Sequence, residues 1–321
     1  MLTPEQGINS VLPHHASVRG CDKCRKKSIV FIRYSGAHLC GKHFSEFVEK
    51  RVKHELRQQM NLKNGERIAV AVSGGKDSTV ALHLIHKILG DRKDIGLCAI
   101  TVDEGIVGYR ESSIPIVAQN CKELQLNHIV VTFKDMFGST MDDIAGSKRD
   151  LATCSYCGVL RRAAMNRAAR EWGATHLATG LNLDDTAQSI LMNISRGDVE
   201  RLARLGPHMR IQPGLIPRVQ PLRTIPEIET TLYAMIKKLR FHDLECPYAP
   251  EALRNTYRSV VFQLEEKYPG TRHSIVKSYD ELLPALQKLY PPAKLKTCGC
   301  GEPAISSKCK ACELIGSLDS L

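Results

Sequence analysis

The sequence lacks the hydrophobic segments that direct proteins into or across membranes. Its first twenty residues contain no apolar core of the kind that a secretory signal needs. No apolar run reaches the length that spans a bilayer. We therefore expect a cytoplasmic protein without membrane contact, in which residues 1 to about 18 form a flexible leader.

Acidic residues are also in deficit. The 321 residues include 34 Asp and Glu against 45 Lys and Arg, which gives a formal net charge of +11. A basic surface favours a polyanionic partner, with tRNA or another nucleic acid as the first candidate. General solubility is the alternative that the charge by itself leaves open.

A Walker A loop is absent as well, because that motif needs four residues between its glycines and a Lys followed by Ser or Thr. Instead, an apolar run at 68–73 leads into SGGKDS at 73–78, and a helical apolar pattern follows. A strand that turns through Gly74 and Gly75 into a helix leaves backbone N–H groups free at the positive end of the helix dipole. These donors, with Lys76, predict a phosphate-binding loop. An ordinary glycine-rich turn is the alternative.

Alternating strand and helix signals between residues 62 and 243 predict an α/β fold with a parallel sheet. The expected strands are 68–73, 96–105, 128–133 and 174–180. The expected helices are 44–60, 111–125, 157–172, 183–197, one that ends near Phe241, and a helical region at 251–290. Because ligands of such sheets bind at the carboxyl ends of strands, the site should include the loops 73–78, 101–106 and 180–185.

The basic segment at 194–223 is interrupted by Gly and Pro. We interpret it as a surface loop. It either touches a phosphate backbone, covers the active site, or is simply solvated.

Cysteine is abundant, with twelve residues that mostly fall in close pairs, and paired cysteines inside cells more often bind metal than form disulfides. An N-terminal zinc site is predicted from Cys21, Cys24, Cys40 and His43, and a C-terminal one from Cys298, Cys300, Cys309 and Cys312. The C-terminal group opens one residue tighter than Cys-x-x-Cys, which puts Cys298 in doubt as a ligand. The isolated Cys98 and Cys121 are interpreted as core or surface thiols.

Three further cysteines do not fit a four-ligand zinc site. Cys154 and Cys157 precede a helix that carries Arg161 and Arg162, and Cys246 lies far along the chain. The spacing leaves three interpretations open. They are a redox pair that carries persulfide, a zinc site with a further ligand, and an iron–sulfur cluster held by three thiolates with one iron open.

Two adjacent carboxylates, Asp184 and Asp185, follow a strand end. Carboxylates beside a nucleotide can hold Mg²⁺, and the same residue type caps helices. Since one of the pair is enough for a cap, we assign the second to chemistry.

The motifs SGGKDS, TVDEGI, CSYCGVLRR, TGLNLDDTAQSILMNISRGD and ECPY together resemble the tRNA 2-thiouridine synthetases of the TtuA and cytoplasmic tRNA 2-thiolation type, within the PP-loop ATP pyrophosphatases. The resemblance runs from about Cys21 to Cys312. It implies a Rossmann-like PP-loop domain flanked by zinc modules, with domains at 1–61, 62–245, 246–296 and 297–321. It also implies adenylation of a tRNA uridine C2 oxygen followed by sulfur transfer. The wording GVLRR is most similar to the branch that modifies wobble uridine 34, while a bacterial-type relative modifies uridine 54.

The resemblance also implies site residues and cofactors. Asp77, Arg161 and Asp185 would be catalytic, with Mg²⁺ near the carboxylates, and Cys154, Cys157 and Cys246 would hold a [4Fe-4S] cluster. ATP would contact Ser73, Gly74, Gly75, Lys76, Asp77, Ser78, Val102, Arg161 and Gly180. Leu181 stands where many relatives have His, so any role of that His is missing here.

Partners and alternatives follow from the same resemblance. Sulfur would come from a ubiquitin-like carrier protein or from free sulfide, and the chain would form a homodimer. Persulfide transfer is the competing chemistry. A non-catalytic, zinc-dependent tRNA-binding scaffold is the alternative of another class. Another PP-loop enzyme, such as a lysidine or 2-thiocytidine synthetase, is a third interpretation.

Overall fold

A computed structural model describes residues 19–208, 212–249 and 254–318 of the chain. The leader expected at residues 1 to about 18 lies outside the described residues. None of the described helices combines the length and the hydropathy that a membrane span requires.

Five parallel strands form the central sheet, in the order β5-β4-β3-β6-β7. They are β3 (Arg67–Ala71), β4 (Gly96–Asp103), β5 (Asn127–Thr132), β6 (His176–Thr179) and β7 (Arg218–Val219). The inner strands are apolar and covered on both faces, as parallel sheets require. In β3, for example, Ile68, Ala69 and Val70 are each at most 1% exposed.

Helices cover both faces of this sheet. In chain order they are α1 (Gly41–Gln59), α2 (Lys76–Leu89), α3 (Arg110–Glu123), α4 (Phe133–Phe137), α5 (Met141–Gly146), α6 (Thr153–Glu171), α7 (Leu183–Ser195), α8 (Val199–Ala203), α9 (Glu227–Ile236), α10 (Arg254–Lys267), α11 (Thr271–Leu289) and α12 (Lys310–Leu318). Helices α1, α2 and α9 pack together on one face. Helix α6 covers the other face, where Ala168 and Ala169 meet Ala69 and Leu177.

A small antiparallel hairpin lies near each end of the described chain. The N-terminal hairpin consists of β1 (Val30–Ile32) and β2 (Ala37–Leu39), and the C-terminal hairpin of β8 (Lys296–Thr297) and β9 (Pro303–Ala304). Each hairpin carries one of the two predicted zinc-ligand groups.

The expected α/β alternation is confirmed, and three of its details are wrong. The segment at 194–223 contains helix α8 and strand β7, whose Val219 is buried against the sheet. Two strand residues between Pro217 and Pro221 are too few to show the period-two alternation of a strand. Helix α9 ends at Ile236 rather than near Phe241. Lys238 adopts the left-handed backbone conformation, with a φ of 51°, and the N–H of Leu239 donates a hydrogen bond to the carbonyl of Ala234. This is a common way for an α-helix to end.

The third correction concerns the central cysteines. Helix α6 begins at Thr153, so Cys154 and Cys157 lie within its first two turns rather than ahead of it. The two side chains are therefore three residues apart on one helical face, which is closer than an extended segment would hold them.

Candidate active site

The loop between β3 and α2 has the geometry of an anion-binding turn. Gly74 has a φ of +87°, and a Cβ there would lie 2.9 Å from Cβ of Ser113. Helix α2 begins at Lys76 with Gly75 as its N-cap and without a side-chain cap. The first backbone N–H groups of α2 are thus left to a ligand.

Two further contacts hold this loop in place. The Oγ of Ser78 accepts a hydrogen bond from the Ser73 N–H at 3.1 Å and donates to the Gly75 carbonyl at 2.9 Å. Gly180, at the end of β6, packs directly beneath it, because a Cβ at Gly180 would lie 2.7 Å from the Ser78 nitrogen. Gly180 is therefore needed for close approach to the loop.

Lys76 reaches two carboxylates beside the loop. Its Nζ lies 3.0 Å from Oδ2 of Asp77 and 2.7 Å from Oε1 of Glu227. Burial alone would lower the pKa of Lys76, but Asp77 and Glu227 raise it, so the ammonium stays charged. Glu227 also pairs with Arg258. It was missed in the sequence, since it lies in the first turn of α9 without a motif around it.

The N-cap of α7 is neither Asp184 nor Asp185, although Asp185 takes part in capping. Asn182 is the N-cap of α7, and Asp185 completes a capping box by accepting from the Asn182 N–H at 3.2 Å. Asp184 accepts from the Glu227 N–H at 2.7 Å and pairs with Arg272 at 3.0 Å. Asp184 thus anchors α9 and α11 beneath the site.

Asp185 also lines the cavity, where its carboxylate forms an ion pair. Its Oδ1 lies 3.4 Å from Nη1 of Arg254. Burial raises the pKa of Asp185 to about 6, and the negative charges of Asp77 and Glu227 add to that rise. Three carboxylates therefore share one end of the site, an arrangement that suits a divalent cation.

One cavity of about 1470 Å³ joins the loops at the carboxyl edge of the sheet. Among the predicted site residues, it is lined by Ser73, Gly75, Lys76, Asp77, Ser78, Val102, Arg161, Gly180 and Asp185. Gly74 lies behind this wall, where its carbonyl accepts from the His242 N–H at 2.8 Å. The volume exceeds that of a typical small-molecule pocket, so it leaves space beside a nucleotide for a second substrate.

The helix that carries Cys154 and Cys157 contributes Gly158, Arg161 and Arg162 to the wall of this cavity. Arg161, which lines it, donates from Nη2 to the Sγ of Cys157 at 3.0 Å. Cys157 and Cys246 pack into one apolar cluster. The Sγ of Cys154 lies 3.4 Å from the carbonyl of Tyr248, two residues beyond Cys246.

These three thiols do not form a group that could hold a single ion, within the described part of the chain. A cluster in which each thiolate binds its own iron needs a wider spacing than one ion does. The donor set of three cysteines, with a guanidinium beside one sulfur, fits a [4Fe-4S] cluster.

Each terminal module brings four potential zinc ligands together. Ligand atoms within 4.8 Å of one another come from Cys21, Cys24, Cys40 and His43, and from Cys298, Cys300, Cys309 and Cys312. In the first group, Sγ of Cys24 lies 3.7 Å from Sγ of Cys40. Zinc–sulfur bonds of about 2.3 Å in a tetrahedron place two sulfurs about 3.8 Å apart.

Cys298, which the tight spacing put in doubt, lies inside its group. Backbone N–H groups of Cys300 and Cys309 lower the pKa of Cys298 to about 6. A thiolate is the form that binds zinc, so the geometry fits a ligand role for this residue.

The chain matches two protein-family models and is similar in sequence to known tRNA 2-thiolation proteins. A PP-loop domain model matches residues 48–265, and a model of the N-terminal LIM domain of 2-thiouridine synthetase TtuA matches residues 21–45. The tRNA 2-thiolation protein NcsA of Haloferax volcanii is 39% identical over 319 residues, covering 94% of this chain and 99% of the relative. Cytoplasmic tRNA 2-thiolation protein 1 of Bos taurus is 39% identical over 307 residues, covering 93% and 88%.

A solved structure shares the whole architecture. The U34-tRNA thiolase NcsA from Methanococcus maripaludis, determined with its [4Fe-4S] cluster, superposes with a TM-score of 0.82 at 35% identity. The match covers 94% of this chain and 96% of that chain. The expected PP-loop fold is thereby confirmed, and so is the resemblance inferred from the motifs. The chain belongs to the PP-loop family, in the group of tRNA 2-thiolation proteins.

Proposed function

We propose that this protein is a tRNA-uridine 2-sulfurtransferase that adenylates the C2 oxygen of uridine 34 and then replaces that oxygen with sulfur. One observation carries the proposal. The nucleotide loop and the Cys154–Cys157 helix meet at the same cavity, where Arg161 contacts Cys157. Relatives named tRNA 2-thiolation protein and a neighbour named U34-tRNA thiolase support this substrate.

The first step activates the base. The uridine C2 oxygen attacks the α-phosphorus of ATP, the bond to the β-phosphate breaks, pyrophosphate leaves and the proton on N3 is lost. The α2 N–H groups and Lys76 stabilise negative charge on the departing phosphates because they are preorganised toward the loop. Mg²⁺ held by Asp77 and Asp185 would offset the remaining charge.

The second step exchanges oxygen for sulfur. Hydrosulfide attacks C2, the C2–O bond breaks and AMP leaves with the oxygen, while the sulfur loses its proton and N3 regains one. A [4Fe-4S] cluster on Cys154, Cys157 and Cys246 would supply an open coordination site for inorganic sulfur. Burial raises the pKa of Cys157, and the adjacent Arg161 guanidinium opposes that rise.

The tRNA would approach over a basic rim. Arg162, Arg218 and Lys238 line the cavity, and no described carboxylate pairs with any of them. Burial and the charge of Arg162 lower the pKa of Arg218 to about 10, as expected for crowded guanidiniums. A phosphate backbone would relieve this repulsion. A cytoplasmic location is part of the proposal, and relatives named cytoplasmic tRNA 2-thiolation protein 1 support it.

The test uses the full chain purified without oxygen, with its iron and zinc counted. It is incubated with ATP, Mg²⁺, sulfide and a tRNA transcript, and the nucleosides are read by mass spectrometry. We expect 2-thiouridine at position 34, AMP release that requires tRNA, and loss of both iron and product in Cys246→Ala. Cys121→Ala, a buried thiol outside the site, is the matched control.

Other outcomes would replace the proposal. A 2-thiocytidine product would indicate another PP-loop synthetase, and a tRNA complex without AMP release would indicate a scaffold. Thiolation that survives the loss of iron would favour persulfide on Cys154 or Cys157. Product formed with sulfide alone would show that the reaction does not require a carrier protein. The mass of the native complex tests the expected homodimer.

A further inference from the structure

Glu104 is a buried carboxylate that no step above uses. Its side chain is fully buried, at 0% exposure, and it follows β4 at the edge of the sheet that forms the site. Two guanidiniums hold it. Arg110 bonds to it through Nε and through Nη2, the latter at 2.8 Å, and Nε of Arg161 lies 2.8 Å from its Oε1.

Each of these arginines also contacts one half of the active site. Nη1 of Arg110 donates to the Ser73 carbonyl, at the start of the nucleotide loop, at 2.6 Å. Nη2 of Arg161 donates to the Sγ of Cys157 at 3.0 Å. Continuous polar contacts therefore run from the nucleotide loop to the thiol through the single carboxylate of Glu104.

The charges of Glu104, Arg110 and Arg161 explain why these three side chains depend on one another. One carboxylate between two guanidiniums leaves one positive charge in excess, and Arg161 presents it to the sulfur. Burial opposes ionisation of Glu104, but Arg161 and Arg110 hold its pKa below the ordinary value. A buried charge of this kind depends on its partners, so a displacement of one guanidinium is felt by the other.

We propose that Glu104 is a positioning residue that couples occupancy of the nucleotide loop to the environment of the Cys157 sulfur. Nucleotide binding at residues 73–78 changes the Ser73–Arg110 contact, Glu104 transmits the change, and Arg161 adjusts its hydrogen bond to the sulfur. By linkage, the state of the sulfur site changes nucleotide affinity by the same factor. The inference rests on the proposed function only where it assigns Cys157 to the cluster.

The experiment measures the midpoint potential of the reconstituted full chain, with and without a non-hydrolysable ATP analogue. In the wild type we expect the analogue to shift the potential. Glu104→Gln should retain iron, lose that shift and start from a different potential, because an amide has no negative charge to pair with the two guanidiniums. Its nucleotide affinity should fall about tenfold, the usual effect of losing a hydrogen bond to a charged group.

Arg110→Lys separates the two halves of the network and carries the test where Glu104→Gln yields no folded protein. It removes the Nη1 contact to the Ser73 carbonyl and the two-point contact to Glu104, while Glu104, Arg161 and Cys157 remain. We expect iron to be retained and the potential not to shift when the analogue binds. Asp103→Asn is the matched control, because Asp103 neighbours Glu104 but bonds to the Gly105 N–H rather than to an arginine. It should behave as the wild type.

A wild-type potential that does not respond to nucleotide, in a chain that thiolates tRNA, would overturn the coupling and leave the proposed function standing. A retained shift in Arg110→Lys or Glu104→Gln would overturn it equally. If the chain holds no iron, the proposed cluster fails instead. The rate of Cys157 alkylation by iodoacetamide, with and without the analogue, then tests the same coupling, with the same variants expected to lose the response.

Discussion

One end of the cavity carries three carboxylates, those of Asp77, Asp185 and Glu227. They differ in the number and distance of the cationic side chains that pair with them. Glu227 pairs with Lys76 and Arg258 at 2.7 and 2.9 Å. Asp185 has a single, longer ion pair, so it is the carboxylate whose charge the fold supports least. We infer that repulsion among these carboxylates destabilises the fold, and that a bound cation removes this repulsion.

This cost predicts a pH-dependent gain in stability from Asp185→Asn. Burial raises the pKa of Asp185 to about 6, whereas it is about 3.9 in an unfolded chain. Its ionised form therefore destabilises the fold above pH 6, and the penalty disappears as the pH falls from 6 towards 4. At pH 7.5 without Mg²⁺, the amide should raise the free energy of unfolding by about 1–2 kcal/mol, an estimate reduced for partial exposure.

Denaturant unfolding at pH 7.5 and pH 4 measures this difference, and thiolation should fall in the same variant. Asp198→Asn, at the exposed N-cap of α8, is the control and should change stability by less than about 0.5 kcal/mol. An Asp185→Asn protein that is less stable than the wild type at pH 7.5 would show that its carboxylate stabilises the fold.

Some of these site residues could be identified from the sequence and others could not. Lys76 and Asp77 sit in a motif whose local turn defines their role, and the resemblance supplied Asp185. Glu227 and Glu104 could not be identified in this way. Glu227 contacts Lys76 from 151 positions further along the chain, and Glu104 matters only through two arginines that converge in three dimensions. Local pattern carries no information about such contacts.

At the scale of elements, the C-terminal module is attached to the α/β domain by specific polar contacts. Glu302 of the C-terminal module is 4% exposed. It accepts hydrogen bonds from Arg170 at 2.7 Å and from Asn166 at 3.0 Å, both on α6. The module therefore packs on the helix that begins with Cys154 and Cys157, so its stability bears on the cysteine site.

Removal of one ligand tests the metal dependence of this module. Cys309→Ser should reduce zinc from about two to about one per chain, because a structural site needs all four ligands. The loss should also expose Glu302 and loosen the apolar cluster that Cys309 shares with Cys157 and Leu160, which would lower the iron content. Zinc and iron are measured by plasma mass spectrometry, with Cys98→Ala as a control outside both groups. Two zinc atoms retained in Cys309→Ser would contradict the assignment.

The elements that the sequence predicted well are the long ones with a regular period. Helix α1 and strands β3 to β6 lie within a few residues of their expected positions. Strand β7 was missed because two residues, Arg218 and Val219, pair with β6 through tertiary context alone. The start of α6 was expected at residue 157, whereas the helix begins at Thr153; its N-cap residue, Ala152, makes no side-chain cap hydrogen bond, so the sequence carries no start signal there.

At the scale of the whole molecule, the excess positive charge is not what distinguishes the active edge of the sheet. Lys63 and Lys93 are exposed at the opposite edge, before β3 and β4. The rim differs because Arg162, Arg218 and Lys238 surround a cavity and lack described carboxylate partners. Charge that is concentrated and unpaired binds a polyanion more tightly than the same charge spread over a surface.

The salt dependence of tRNA binding tests this distinction. Each phosphate contact adds about 0.7–0.9 to the slope of log affinity against log salt concentration. Arg162→Gln combined with Lys238→Gln should therefore reduce that slope by about 1.5. Lys63→Gln combined with Lys93→Gln removes the same charge from the opposite edge and should leave the slope unchanged. Equal reductions in both double variants would mean that net charge attracts tRNA without a defined approach. A reduction confined to the rim would place the phosphate backbone over the cavity, where the target uridine must enter.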